Sequence, residues 1–466
     1  MKLNREDIRN RFDAYQEAMF ADLASLVAID SSKGPAEASA PFGKGPAEAL
    51  HRMLSICERM GFRTDNCDDY AGSAEMGEGD EVVGVIGHLD VVPAGTGWKG
   101  DPFKMEIRDG RVWGRGTSDD KGAVIAALYG MQILRDLGVP LKRKIRLIFG
   151  TDEECGSGCM AYYTKHRPVP TLGFTPDGSY PGTYAESGTI WNQLNFPMDG
   201  KGILSMTAGT VYNAVPDNAK VVLDGKLVSK EVLQAAVREA DTLGCPVSVS
   251  DGTPGEIILE VKGKTGHGSR PDLGVNAAVS AANILCRVLG EDAGTMMRFL
   301  KEVIRRDAHG TNLGIAVFSD EFPSTSVNPG VVRYGKDGCY LGMDIRFPVG
   351  HSVAEMEGKY AEAVGKWGLS FDPVNYAEPH YVPKDSELIR TLTDVYRRVT
   401  GDMETPIRAM GGGTYARHIG KNFIAFGPTF PNSEPENAHN ANEHFVIEDF
   451  MRHCVVTTMA MYELAK

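Results

Sequence analysis

The sequence lacks any continuous apolar run of the roughly 18 residues that a membrane-spanning helix needs. Its N-terminal segment, MKLNREDIRNRFDAYQEAMF, has no apolar core typical of a secretory signal. The eight cysteines include no Cys-x-x-Cys pair, and in a chain without a secretory signal we expect free thiols rather than disulfides. These absences argue against membrane-spanning and disulfide-stapled proteins and predict a cytoplasmic location.

Positive charge is also scarce, because 49 Lys and Arg face 62 Asp and Glu, for a net charge of −13. A chain this acidic disfavours nucleic acid and anionic membranes as partners. The 466 residues are 42% hydrophobic and 24% charged, which is the balance of an ordinary globular protein. A chain of this length can bury a large core and corresponds to about three domain-sized units.

Strand and helix patterns alternate in the first third of the chain. Short apolar runs at 82–90, 144–154 and 171–178 are typical of buried strands. Residues 121–138 have the pattern of a helix that ends at a glycine. This order predicts an α/β layer with a mostly parallel sheet.

The middle of the chain has shorter, more alternating strand patterns, with helical stretches near 230–242 and 275–305. After it the α/β pattern returns. We therefore predict a three-layer α/β domain formed by residues 1–185 and 381–466, interrupted by an enlarged α+β lid domain at 186–380.

Ionisable residues stand where the predicted strands of the first third end. His88 and Asp90 end the first run, Glu153 and Glu154 the second, and Asp177 the third. Ligands of such sheets bind beyond the carboxyl ends of the strands. Each carboxylate alone is typical of a solvated loop, but carboxylates gathered at buried strand ends need a compensating charge, which a divalent metal supplies.

The spacing of these residues predicts separate roles. Because His88 and Asp90 are two apart on a strand, they point to the same side, so Asp90 can accept the second imidazole N–H and fix the tautomer. The neighbours Glu153 and Glu154 point in different directions, so one can bind a metal while the other holds a water.

Five segments, HLD, GRGTSDDKG, TDEECGSG, FTPDGSYP and AHNANE, occur in this order along nearly the whole chain. Together they resemble the aminoacylase/carnosinase family of co-catalytic zinc metallopeptidases, and within it the peptidase V-like dipeptidases. The resemblance implies a catalytic α/β domain interrupted by a lid domain, in agreement with the pattern above.

The resemblance also implies roles for single residues. It makes Glu153 the general base and Asp90 the residue that orients a metal-binding histidine, and it implies a cis peptide bond after Asp119. The implied ligands of two metal ions are His88, Asp119 (bridging), Glu154, Asp177 and His439. Two alternatives stay open: His444 as the final ligand in place of His439, and Cys155 as a thiolate ligand, although a small buried packing residue is favoured for Cys155.

The predicted lid contributes three further candidates through the resemblance. His267, in GKTGHGSRP, would stabilise the oxyanion of the tetrahedral intermediate, and Asn213, in NAVPD, would lie near the substrate. Arg346, in MDIRFP, would face the substrate carboxylate, since a guanidinium suits bidentate carboxylate binding. A surface position for His267 and a salt bridge to a neighbouring acid for Arg346 are the alternatives.

A glycine-rich loop outside the lid range has the exposed backbone N–H groups of a phosphate site but not the Gly-x-x-x-x-Gly-Lys spacing. The resemblance places this loop at the substrate instead, with Gly412, Gly413 and Thr414 as binding residues.

We therefore predict a dinuclear metal-dependent dipeptidase that cleaves unblocked dipeptides by a metal-bound hydroxide, with zinc as the expected metal and manganese or cobalt as alternatives. The resemblance to peptidase V-like proteins, whose enlarged lid takes the place of a partner chain, implies a monomer in which His267 acts within its own chain. Two other functions stay open: an N-acyl amino acid deacylase or desuccinylase with the same metal site, and a non-catalytic peptide- or metal-binding protein.

Overall fold

The structure is a computed structural model that describes residues 3–466, and these residues form two compact units. The first unit comprises the chain up to Ala185 together with His380–Ala409 and Gly413–Lys466. The second comprises Glu186–Pro379 and Met410–Gly412. The glycine loop is therefore divided, since its first residues group with the second unit and not with the C-terminal segment.

The helices and strands follow one another in chain order as listed here. The first unit begins with α1 (Arg5–Val27), α2 (Lys44–Arg59), β1 (Arg63–Cys67), β2 (Ala71–Met76), β3 (Val82–His88), β4 (Glu106–Arg108), β5 (Arg111–Trp113), α3 (Lys121–Asp136), β6 (Lys144–Gly150), α4 (Gly158–His166), β7 (Leu172–Thr175), β8 (Gly178–Ser179) and β9 (Thr183–Glu186). The second unit contains β10 (Gly188–Asn195), β11 (Ile203–Ala208), β12 (Asn218–Asp224), α5 (Lys230–Glu239), β13 (Val247–Asp251), β14 (Glu256–Lys262), α6 (Ala277–Leu289), α7 (Gly294–Phe299), β15 (Ser326–Gly335), β16 (Gly338–Phe347), α8 (Val353–Gly365) and β17 (Ser370–Ala377). The first unit is completed by β18 (His380–Tyr381), α9 (Glu387–Thr400), β19 (Arg408–Met410), α10 (Ala416–Ile419), β20 (Phe423–Ala425), β21 (Pro428–Thr429), β22 (His444–Val446) and α11 (Ile447–Ala465).

The first unit is built on a nine-stranded mixed sheet. Its strand order is β1-β2-β6-β3-β7-β20-β9-β18, with β19 paired to β9. The four strands β6, β3, β7 and β20 run parallel. β2 and β9 flank this group and pair antiparallel with β6 and β20, and β1 pairs antiparallel with β2. The predicted α/β fold is confirmed, and its parallel part is the centre of the sheet.

The centre of this sheet is buried because its strands carry apolar residues on both faces. All seven residues of β3 are buried, and α3 packs against β3 and β6. Gly84 and Gly173 face each other on β3 and β7, where a Cβ on Gly173 would lie 1.9 Å from the Gly84 carbonyl oxygen. Glycine is therefore required for β3 and β7 to pair this closely.

The second unit is an eight-stranded antiparallel sheet that is covered by helices. The strand order is β13-β14-β12-β11-β15-β16-β10-β17, and α6 packs on β12 and β14. The helical stretch predicted at 275–305 is broken, because α6 ends at Leu289 and α7 begins only at Gly294, after a 3-10 turn over Gly290–Ala293. Gly290 and Gly294 adopt positive φ angles of 57° and 82° there. A short π-helix at Leu300–Ile304 follows.

Within residues 3–466, no helix is both long and apolar enough to cross a membrane. All eight cysteines are free thiols, as expected.

Candidate metal centre

The ionisable residues at the predicted strand ends lie together in the first unit. His88 is the last residue of β3, Glu153 and Glu154 follow β6, and Asp177 follows β7. Because β3, β6 and β7 are parallel neighbours, their carboxyl ends meet at one edge of the sheet. The loop before α3 supplies Asp119, and the segment before β22 supplies His439.

The ligand atoms form two overlapping groups. His88, Glu153 and Asp177 form one, and His88, Asp119 and Glu154 the other, with all ligand atoms of a group within 4.8 Å of one another. His439 joins them, since its Nε2 lies 2.9 Å from Asp119 Oδ2 and 3.1 Å from Glu154 Oε2. The five residues expected as ligands are thus gathered, and Glu153 lies among them.

Asp119 lies between the two histidines. His88 Nε2 is 3.0 Å from Asp119 Oδ1, while His439 Nε2 approaches the other carboxylate oxygen. The peptide bond from Asp119 to Asp120 is cis, as the resemblance implied. The carboxylate of Asp120 bonds the main chain of β3, since its Oδ2 accepts a hydrogen bond from the His88 backbone N–H at 3.2 Å.

Asp90 has a different set of partners from the one expected. The His88 Nδ1 atom lies 2.9 Å from the backbone carbonyl oxygen of Asp90 and 3.6 Å from its carboxylate. The carboxylate instead accepts the backbone N–H groups of Glu153 and Glu154, both at 3.0 Å. The main chain of Asp90 thus orients His88, and its side chain fixes the two glutamates.

Crowding of negative charge changes the acidity of the carboxyl groups. Burial raises the pKa of Asp177 to about 7, and the charge of Asp119 adds to the shift. Burial and the charge of Asp177 raise the pKa of Glu153 well above its ordinary value. Burial and the charge of Asp119 likewise raise the pKa of Glu154.

The histidines take up protons in response. Burial opposes the charged form of His439, but hydrogen bonds to Asp119 and Glu154 outweigh it and raise the pKa of His439 to about 11. Burial likewise opposes the charged form of His88, but the hydrogen bond to Asp119 and the Asp90 carboxylate 3.6 Å away raise the pKa of His88 well above its ordinary value. Burial also opposes ionisation of Asp119, yet the two imidazoles lower its pKa.

The arrangement fits divalent metal ions on two counts. Carboxylate oxygen and imidazole nitrogen are the donors preferred by zinc and also accepted by manganese and cobalt. The raised carboxyl and imidazole pKa values mean that the protein without metal compensates its negative charge with protons, which metal ions would replace. The structure thus provides candidate ligand groups for divalent metal.

The two alternative ligands lie elsewhere. His444, in β22, stacks on Trp113 and its Nε2 lies 3.0 Å from Glu434 Oε1, so it is engaged outside the cluster. Cys155 is exposed, so the expectation of a small buried packing residue is wrong. The loop after β6 turns at this point, and Ser157 just beyond it has a left-handed φ of 59°.

In the second unit, the segments around Asn213 and His267 lie side by side. Ala214 and His267 form an antiparallel bridge, and Asn213 O accepts a hydrogen bond of 2.7 Å from Gly268 N. The imidazole of His267 is exposed, and its Nδ1 lies 2.7 Å from Ser269 Oγ. The sequence elements NAVPD and GKTGHGSRP are thus parts of one surface of this unit.

Arg346 is held by a neighbouring acid in the same unit. Its Nη2 lies 2.9 Å from Asp344 Oδ2, Nε bonds the same carboxylate, and Nη1 donates to Gly411 O at 2.7 Å. The salt bridge considered as an alternative is therefore present. Among the described residues, these bonds use three of the five guanidinium N–H groups of Arg346.

The glycine loop is shaped by the arginines beside it. Gly411 O accepts from Arg346, and a Cβ on Gly413 would lie 1.9 Å from the Arg417 guanidinium. The following helix α10 has four residues, so the loop does not open a long helix that could hold a phosphate. Thr414 Oγ1 accepts a hydrogen bond of 3.2 Å from Ala416 N.

Sequence reasoning missed several residues that support the cluster. Lys33 Nζ lies 2.8 Å from Asp152 Oδ1, directly before Glu153, and the other oxygen of Asp152 accepts from Gly158 N. Tyr415 is buried, with its hydroxyl 2.8 Å from Cys159 Sγ and its ring edge-on to His88. A buried ion pair, Arg115–Glu443, lies behind Asp119. Both of its members occur within motifs that the sequence displays, GRGTSDDKG and AHNANE.

The chain matches one protein family over most of its length and a bacterial relative over nearly all of it. The family described as "Peptidase family M20/M25/M40" matches residues 84–463. A Bacillus subtilis protein named "Putative dipeptidase YtjP" is 35% identical over 99% of this chain and 99% of its own.

Two solved structures share the fold at low sequence identity. The dipeptidase Dug1p of Saccharomyces cerevisiae is 14% identical over the full length of both chains, with a TM-score of 0.59. Human carnosine dipeptidase 1 is 15% identical over 99% of both chains, with a TM-score of 0.57.

The pKa shifts predict how pH affects the metal-free protein. A carboxyl whose pKa is raised on folding, such as Asp177, from 3.8 to about 7, loses stabilising free energy as pH rises through that window. The pKa of His439 is raised from 6.5 to about 11, so its contribution to the free energy of unfolding is complete below pH 6.5 and is lost as pH rises above it. The pKa of Asp119 is lowered, so its contribution is present above its ordinary value of 3.8 and is lost as pH falls below it.

Metal binding should have the reverse dependence, because the ligands must lose protons to bind. We therefore expect the difference in melting temperature between zinc-loaded and metal-free protein to grow from about pH 5.5 to about pH 8. Differential scanning calorimetry at several pH values measures it. A difference that is constant or shrinks over this range would contradict the assignment of these residues to a metal centre.

Proposed function

The chain belongs to peptidase family M20/M25/M40, and on that premise we propose that it is a dinuclear metal-dependent dipeptidase that hydrolyses unblocked dipeptides. Family membership confirms the resemblance inferred from the motifs and makes the chain a peptide hydrolase. The observation that carries the finer proposal is the gathering of four carboxylates and two imidazoles at one sheet edge.

Two divalent ions would be held by the gathered side chains. Asp119, whose two oxygens face two different histidines, is suited to bridge them. The further ligands would be His88, Glu154, Asp177 and His439. When bound, a pair of divalent ions polarises the scissile carbonyl and makes a water acidic enough to act as a nucleophile near neutral pH.

Glu153 is proposed as the general base. Its backbone N–H is fixed by the Asp90 carboxylate, which holds the start of its side chain in place. Burial and neighbouring negative charge raise the pKa of Glu153 well above its ordinary value in the metal-free protein. Divalent ions would lower this pKa again, toward the range in which the carboxylate can take a proton from water and return it to the leaving amine near neutral pH.

The second unit would bind and polarise the substrate. His267 is exposed on a loop tied to the Asn213 segment, so its imidazole could donate to a developing oxyanion. Arg346 is already neutralised by Asp344, which leaves two N–H groups as hydrogen-bond donors to a substrate carboxylate. Gly412, Gly413 and Thr414 stay candidates for contacts with the same end of the substrate.

The names of the relatives support a dipeptide as the substrate. This choice of substrate separates the two candidate reactions, dipeptide hydrolysis and deacylation of an N-acyl amino acid. A dipeptidase and an N-acyl amino acid deacylase would share the metal ligands and Glu153, and they differ in what binds the amine end. The relative at 35% identity over nearly the full length bears a dipeptidase name, and this favours the first. The monomeric state and the cytoplasmic location stay predictions.

A substrate comparison tests the proposal. The protein is treated with a chelator, reloaded with zinc, manganese or cobalt, and given a free dipeptide and its N-acetylated form in parallel. Cleavage is measured by amino acid analysis of the products. We expect metal-dependent cleavage of the free dipeptide only. Cleavage of only the acetylated compound would assign the site to a deacylase, and cleavage of neither by the metal-loaded protein would contradict a peptidase of this specificity.

Two substitutions test the proposed roles. Glu153→Gln should lower kcat by about 10²–10⁴, because the proton acceptor is lost. His267→Ala should lower kcat by about 10²–10³, the usual effect of losing one oxyanion donor. His351→Ala, a histidine of the second unit paired with Glu355, is the matched control and should keep wild-type kcat.

Mixing the two inactive variants tests the predicted monomer. If His267 acts within its own chain, a mixture of Glu153→Gln and His267→Ala should regain no activity, and sedimentation should show a single chain. Recovered activity together with a stable dimer would show that one chain supplies His267 to the other.

A further inference from the structure

A fully buried ion pair lies behind the proposed bridging carboxylate. Arg115 Nη1 and Glu443 Oε2 are 2.6 Å apart, and the two side chains are 2% and 1% exposed. Arg115 comes from the loop before α3, and Glu443 from the segment that carries His439. The pair thus joins two parts of the chain that each supply a proposed ligand.

The second oxygen of Glu443 binds the main chain of that loop. Glu443 Oε1 accepts hydrogen bonds from the backbone N–H of Ser118 at 3.0 Å and of Asp119 at 3.1 Å. The Asp119 peptide plane is therefore fixed on its nitrogen side, and this sets the direction in which its side chain leaves the backbone. Both oxygens of the Glu443 carboxylate therefore accept hydrogen bonds, within the capacity of their lone pairs.

A second carboxylate ties the same two segments together. Glu436 Oε2 accepts from Ser118 Oγ at 2.5 Å and from Thr429 Oγ1 at 3.2 Å, and Glu436 O accepts from His444 N at 2.9 Å. Glu436 and Glu443 stand on either side of His439 in the chain. The segment that presents His439 is thus attached on both sides to the loop that presents Asp119, by the Ser118 hydroxyl on one side and by the Ser118 and Asp119 amides on the other.

We propose that Glu443 is a positioning residue of the metal centre, which holds the Asp119 carboxylate and the His439 imidazole in register through the Ser118 and Asp119 amides. This inference rests on the proposed metal site. Arg115 serves it by balancing the buried charge, and it is held in turn over the Trp98 ring at 5.2 Å.

Stability alone is a weak reason for such a pair. Replacing a buried ion pair by apolar residues of similar volume is often neutral or stabilising, so burial of Arg115 and Glu443 does not by itself explain their presence. What apolar residues cannot supply is an acceptor for the two amides at the start of the Asp119 side chain. Substitution of residues that orient metal ligands typically weakens metal binding about 10–100-fold.

Two uncharged double variants separate positioning from packing. R115M/E443Q keeps a carbonyl oxygen that can accept from Ser118 and Asp119, whereas R115M/E443L has a side chain of similar size without an acceptor. Zinc affinity is measured by competition with a chromophoric chelator, and hydrogen exchange of the 115–119 amides is measured without metal. The exchange readout does not depend on activity or on metal.

We expect the leucine variant to bind zinc about 10–100-fold more weakly than the glutamine variant and to exchange the Ser118 and Asp119 amides faster. Equal zinc affinity and equal exchange in the two would overturn the proposal. If the leucine variant does not fold, Glu443→Asp, which withdraws the oxygens by one methylene, undergoes the same measurements, and unchanged affinity and exchange there would overturn it as well.

The control separates this inference from the proposed metal site. Glu434→Gln changes another glutamate of the same segment, which pairs with Arg111 and His444 and not with Asp119, and it should keep wild-type zinc affinity. Loss of zinc affinity in this variant, equal to that of the leucine variant, would mean that any damage to the segment suffices and would overturn a specific role for Glu443. Failure of the wild-type protein to bind zinc would instead contradict the proposed metal site itself.

Discussion

The repulsion among carboxylates gathered at one edge of a buried sheet is the constraint on which the rest of the structure depends. Asp119, Glu153, Glu154 and Asp177 lie in a region where burial disfavours their charged forms. Without metal, the two histidines and bound protons supply the missing positive charge, as the raised pKa of His439 shows. Such an arrangement costs stability, and divalent ions would remove that cost while providing the reactive centre of a peptidase.

Strand pairing and hydrogen bonds hold the charged groups together despite this repulsion. Parallel strands β3, β6 and β7 bring their carboxyl ends together, and the Asp90 carboxylate anchors the loop after β6 through two amides. The C-terminal segment adds His439 and is tied to the Asp119 loop by the half-buried Glu436 and the buried Glu443. The ligands therefore come from distant parts of the chain, and hydrogen bonds between these parts hold the Asp119 loop, the Glu153–Glu154 loop and the His439 segment in place.

Much of this could be predicted from the sequence, because apolar runs locate buried strands and the charged residues that end them are conspicuous. The alternation of elements predicted the α/β unit, and the motifs predicted the family. Contacts that depend on main-chain geometry were not predictable: the Asp90 carbonyl oxygen lies closer to His88 Nδ1 than the Asp90 carboxylate does, and Cys155 is exposed where the loop turns. The division of the 275–305 stretch follows from positive φ angles at two glycines, which periodicity does not reveal.

The number of metal ions bound per chain decides whether the gathered carboxylates and histidines form a dinuclear centre. Metal-free protein is titrated with zinc by isothermal titration calorimetry at constant pH in buffers of different ionisation enthalpy, so that ions bound and protons released are both counted. We expect two zinc ions per chain with net release of protons, and one ion fewer when Asp177 is replaced by Asn. Binding of no ion or one ion by the wild-type chain, or binding without proton release, would contradict this expectation.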